Sequence, residues 1–172
     1  PEIKVSFRIV PEDSLIEGMP VDSIKGLSFD QSGAKVLTES TVIQIMVINE
    51  GIKPAYFNLI DLQPDNVFRV LLPDENTTPE EMKVLPNQRI LLRNKFEIGK
   101  PYGQEMFKLI ASAKPMDLRS SLGTRGFKEM NPFEKVFLEM KDEETYHTRG
   151  GSPLGLPATE INIYTETFKI SE

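Results

Sequence analysis

Short runs of alternating apolar and polar residues, cut by Pro, Gly, Asn and Asp, recur along most of this chain and commit it to a β architecture. Ile3, Val5, Phe7 and Ile9 alternate with Lys4, Ser6 and Arg8, the period of a strand with one face buried. Across 11–40 the rhythm weakens. Met19-Pro20, Lys25-Gly26 and Gln31-Ser32-Gly33 punctuate it, which predicts loops with one or two short strands. Residues 41–49 and 55–63 are β-rich, and the turn-forming Glu50-Gly51-Ile52-Lys53-Pro54 between them predicts two adjacent strands. Pro64-Asp65-Asn66 then reverses the chain into 67–72, so the three runs read as a meander. Thr78-Pro79-Glu80-Glu81 carries a cap, a Pro at the first helical position and a Glu three residues after the cap, but Pro86 limits it to a single turn. Residues 88–93 and 104–113 supply two more strands around Gly99-Lys100-Pro101-Tyr102-Gly103.

After Pro115 the pattern changes. Residues 120–126 read as a flexible loop. Phe133, Val136, Phe137 and Met140 follow at i, i+3, i+4 and i+7, predicting an amphipathic helix of about three turns capped by Asn131, with Glu134 closing the box. A second Gly- and Pro-rich loop spans 145–158, and Ile161, Ile163 and Phe168 form a last strand. Many short strands, no βαβ alternation and one late helix predict a mainly β fold. The expectation is an antiparallel β-sandwich, immunoglobulin-like or Greek-key, with one short amphipathic helix near the C-terminal third. All 172 residues fit a single domain, with a helix- and loop-containing insertion at about 119–158. The chain opens at Pro1 directly in strand pattern, as expected of a piece excised from a longer protein.

Composition narrows the function classes. Twenty Lys and Arg against 26 Asp and Glu give a net charge of -6, the wrong sign for neutralising phosphates, so nucleic-acid and anionic-membrane partners are disfavoured. The absence of Cys excludes disulfides, thiolate zinc sites and cysteine nucleophiles within these residues, and one histidine leaves no multi-His metal site. No apolar run approaches the roughly 18–20 residues of a membrane span.

Each candidate for chemistry has an ordinary competitor. His147 lies near Asp142, Glu143 and Glu144, an arrangement from which a dyad can be built, but no serine stands in a nucleophile-elbow context. Asp61, Asp65, Asp74 and Glu75 cluster around a strand–turn–strand unit without the alternating spacing of a Ca²⁺ loop, and Asp is a normal turn residue. With no Trp and four dispersed Tyr, an aromatic platform for sugars is weakly supported. None of the glycines stands in a phosphate-loop arrangement. The residues therefore assign no catalytic group, cofactor or metal, and the fragment reads as non-enzymatic.

One segment is more specific. Tyr56-Phe57-Asn58-Leu59-Ile60-Asp61-Leu62 is followed by Val67-Phe68-Arg69-Val70-Leu71-Leu72-Pro73-Asp74. Tyr102-Gly103-Gln104-Glu105-Met106-Phe107-Lys108-Leu109-Ile110-Ala111-Ser112 comes next, with Pro115 close behind. This order resembles the uncharacterised bacterial domain found C-terminal to caspase-like (metacaspase-type) cysteine peptidases. The likeness covers about 41–118. Leu72-Pro73-Asp74 departs from that family's aromatic-Pro-Asn corner. In physical terms Pro73 ends a strand, Gly103 allows a tight start to the next, and Met106, Leu109 and Ile110 offer packing. Glu105 and Lys108 are candidates for a surface charge pair or a partner contact.

The resemblance implies an accessory domain whose parent carries the catalytic His and Cys upstream. It would dock on or regulate that peptidase domain of the same chain, or recruit its substrate. It also implies an extracytoplasmic home, in the periplasm or on the cell surface. Arg125-Gly126 and Arg149-Gly150 lie in predicted loops and are candidate processing sites for an enzyme of that kind, or else ordinary loop arginines. The alternative is an envelope-associated sandwich binding glycan or peptide through its loops or an exposed edge strand.

Overall fold

In the computed structural model the described residues are 2–119 and 161–172, together with the backbone of Lys128–Glu129. They form two sheets and, among these residues, no helix longer than a turn or two. The first sheet contains β1 (Val5–Pro11), β3 (Val42–Asn49), β7 (Arg89–Leu91) and β8 (Phe96–Glu97), with β3 in the middle. The second runs β10-β5-β4-β9-β11-β2, with β6 also paired to β4. Its strands are β2 (Val36–Thr38), β4 (Ala55–Leu62), β5 (Val67–Leu72), β6 (Lys83–Val84), β9 (Gly103–Ser112), β10 (Lys128–Glu129) and β11 (Ile161–Ser171).

The period-two pattern sets which side chains face inward. In β1, Val5, Phe7 and Ile9 enter the core between the sheets, where they meet Ile43, Ile45 and Val47 of β3 and Phe57, Leu59, Phe107, Leu109, Phe168 and Ile170 of the second sheet. Two edge-to-face aromatic pairs reinforce this layer, Phe107–Phe168 within the second sheet and Phe7–Tyr164 between the sheets. The opposite face of the second sheet carries its own cluster of Ile60, Phe68, Ile110, Leu118, Ile161 and Ile163. Both faces of this sheet are thus apolar at its centre.

Three expectations need correction. The runs at 41–49 and 55–63 are not neighbours in one sheet, since β3 belongs to the first and β4 to the second. Glu50-Gly51-Ile52-Lys53-Pro54 is therefore a crossing between layers, and only β4 and β5 form the hairpin that a meander requires. Neither strand could announce this, because β3 is buried at almost every position and β4 at most. The architecture is also mixed rather than wholly antiparallel, since β11 pairs in parallel with β2. The third correction concerns Glu105 and Lys108, described below. The short turn at Pro79–Glu81 forms as expected, with the full Thr78–Glu81 capping box. The amphipathic helix expected at 131–140 lies outside the described residues.

One edge of the sandwich is closed by a β11 side chain and by the backbone of Leu27. The outward N–H of Val5 donates to Asn162 Oδ1 at 2.5 Å, and the Ile9 carbonyl accepts from Leu27 N–H at 2.6 Å. Glu166, also on β11, is buried in an ion pair with Lys35. Its carboxyl is pushed up by burial and drawn back by the Lys35 ammonium and the Ile9 backbone. A seven-residue edge strand that would otherwise offer a row of free backbone groups is in this way partly capped.

Candidate functional site

Three neighbouring strands bring ionisable side chains onto the inner face of the second sheet. Asp61 shares the side of β4 that carries Phe57 and Leu59, and Glu105 shares the side of β9 that carries Phe107 and Leu109. In the ladder Asp61 lies opposite Arg69 on one flank and Phe107 on the other, which leaves Glu105 one inward position further along. The Arg69 Nε stands 3.6 Å from Asp61 Oδ2.

Asp61 is 2% exposed and Glu105 6%, so two carboxyls are buried beside the half-exposed Arg69 guanidinium. Burial pushes the Glu105 carboxyl well up, and the neighbouring Asp61 charge and hydrogen bond push it further, with Arg69 in partial opposition. Asp61 is also raised by burial, against the pull of its hydrogen bond with Glu105 and of Arg69. Two carboxylates in contact cannot both ionise cheaply, and the pair titrates as a unit. Among the described residues, Asp61 Oδ1 is buried without a hydrogen-bond partner.

The pair opens into a cleft of about 120 Å³ between the sheets. It is also lined by Phe96 and Glu97 of β8 and by Ile98, Gly99 and Lys100 of the segment leading into β9. Gly103 starts β9 at φ 126°, and a Cβ there would stand 3.2 Å from Pro64. The start of β9 therefore passes close against the turn after β4. Among the described residues no group of three or more His, Asp or Glu is arranged to hold a metal ion.

The structure does not pair Glu105 with Lys108. Residues three apart on a strand point to opposite faces, so Glu105 faces the core between the sheets while Lys108 faces the side of Ile110. Neither is a surface residue, Lys108 being 2% exposed. Asp65 and Asp74 make the turn contacts expected of them, Asp65 accepting from Val67 N–H and Asp74 from Asn76 N–H and the Thr77 hydroxyl. Arg125, Arg149 and His147 lie outside the described residues.

Sequence reading missed the carboxyl pair, although a signal was present. Glu105 has the parity of Phe107, Leu109 and Ala111, and Asp61 that of Phe57 and Leu59, so an acidic residue stands in each apolar register. No family model, no curated protein and no solved structure matches this chain.

Proposed function

We propose that this chain is a non-catalytic accessory domain of a caspase-like cysteine peptidase, docking on or regulating the upstream catalytic domain or recruiting its substrate. The observation that supports this reading is where the family-like residues fall. Residues 56–62, 67–72 and 103–112 become β4, β5 and β9, which are hydrogen-bonded neighbours in the second sheet. Segments that carry a resemblance by order alone therefore make one continuous structural unit. The Asp61–Glu105 cleft, at about 120 Å³, is well below the roughly 300–1,000 Å³ typical of small-molecule sites, which favours a role in folding or docking over substrate turnover.

The test is to isolate the parent protein, with and without this domain, and to add the domain back in trans. Micromolar binding to the catalytic part, or a change in proteolysis or targeting on deletion, is the expected result. No mutual binding together with unchanged proteolysis and targeting refutes the proposal. Binding to glycan or peptide arrays without any effect on a peptidase shifts the reading to a free-standing binding module.

A further inference from the structure

The carboxyl pair poses a charge-count problem, two buried acids beside one cation. Asp61 from β4 and Glu105 from β9 are buried together, with Arg69 of β5 as the cation in contact. Around them stand Asp65 in the turn after β4, Glu97 on β8 and Lys100 in the following loop. Glu97 and Lys100 are exposed, so water screens them, and Asp65 adds to the negative side. Two ionised carboxylates here would leave an uncompensated buried charge and an orphaned Oδ1 on Asp61.

We propose that Asp61 and Glu105 hold one proton between them, and that this proton is a latch fastening the start of β9 and the Gly99–Gly103 loop to β4. The β4–β9 ladder ends at Leu62 opposite Met106, so residues 103–105 run on past the end of β4 and are held in register by β11. β9 begins at Gly103, opposite Ile170 of β11, and Asp61 is the next-to-last residue of β4. Removing the proton sets two like charges against each other across the ladder, and the relief available is for the β9 start and its loop to move away and admit water. Alkaline conditions therefore open one end of the sandwich while leaving the β1–β3 layer intact. Glu105→Gln preserves the shape of the protonated acid and keeps a donor for Asp61, so that variant stays latched on the alkaline side.

Hydrogen exchange of the full chain at pH 6 and pH 9, corrected for intrinsic rates, tests this in wild type and Glu105→Gln. In wild type, protection over 103–107 is expected to fall about tenfold more than protection in β1 and β3, the change produced by one unit of proton linkage. Glu105→Gln is expected to show no such difference. Equal loss in both proteins, or no selective loss in wild type, overturns the proposal. Should Glu105→Gln fail to fold, carboxyl carbon NMR of wild type decides instead. A side-chain carboxyl titrating above pH 7 supports the latch, and the absence of any overturns it.

Discussion

Asn49 is the residue whose loss the structure prices most clearly. It ends β3 with no exposed surface, and its side chain serves three backbone groups at the crossing between the sheets. Nδ2 donates to the Lys53 carbonyl at 2.9 Å and to the Val84 carbonyl at 3.2 Å, while Oδ1 accepts from Gly51 N–H at 2.8 Å. Asn49→Ala removes all three bonds at once. The Lys53 carbonyl belongs to an exposed turn and recovers water, whereas Val84 and Gly51 are buried. Stranding a buried donor or acceptor costs about 1–3 kcal/mol, which places the variant about 3 kcal/mol below wild type. Asn49→Asp is the sharper control. It keeps an acceptor for Gly51 but turns the other atom into a charged oxygen facing two carbonyls, so at pH 7 it should be at least as unstable as the alanine variant and should recover on acidification. Urea unfolding followed by far-ultraviolet circular dichroism measures both. An alanine variant within about 1 kcal/mol of wild type, or an aspartate variant more stable than alanine at pH 7, refutes the assignment.

Further outcomes follow from the buried charges and close contacts. Lys35→Met leaves Glu166 buried without its cation and should cost about 3–5 kcal/mol at neutral pH, read by urea midpoint. Because the folded Glu166 carboxyl is already raised above its unfolded value, stability falls as pH rises through that window, and the variant should be most stable on the acid side. The same sign holds for Glu105, whose carboxyl is pushed up to about 9. With its folded value raised, the Glu105 carboxyl holds a proton in the folded state that it loses on unfolding from about pH 5 to 9, so stability falls with rising pH there, and Glu105→Gln should flatten that decline by about 1–2 kcal/mol once screening at the cleft mouth is allowed for. Gly51→Ala would set a Cβ 2.5 Å from the Glu2 carbonyl and 2.7 Å from Lys4 N, forcing the first residues off the crossing, and should lower the urea midpoint by about 1–3 kcal/mol. Arg119→Lys gives up the paired bonds to Asp117 and weakens the hold on the Asp74 carbonyl, so exchange should quicken over 74–77 with little change elsewhere.

Alternation made β1 readable, whereas β4, β5 and β9 were legible as β-rich runs bounded by Pro, Gly, Asn and Asp turns, and β11 from its spaced Ile161, Ile163 and Phe168. The distribution of strands between sheets was hidden for a different reason. β3 reads as Val-Ile-Gln-Ile-Met-Val-Ile-Asn, apolar on both faces, and a strand buried on both sides carries no mark of which neighbour it pairs with. β2 is three residues long, and its parallel partner is more than a hundred residues away, so local pattern could not supply that pairing. The carboxyl pair was legible in parity, yet parity says only that Glu105 and Asp61 face inward. That they meet depends on the β4–β9 register, which is fixed by the whole ladder. Asn49 gave no signal at all, because a polar residue at a strand end is ordinary whether or not it bonds three backbone groups.

The position of β11 has a consequence for synthesis. This strand lies between β9 and β2, ten of its residues are in register with β9, and its Asn162 reaches across to Val5 near the start of β1. A ribosome delivering the chain from the Pro1 end releases both flanks of that gap long before the strand that fills it. Until residue 161 and its successors leave the exit tunnel, β9 has an open side and β2 has no partner, and contacts of this sequence separation are slow to form. Closure of the second sheet therefore waits for residues 161–171. A nascent chain stalled before 161 should expose the β9 edge to chaperones or to another stalled copy.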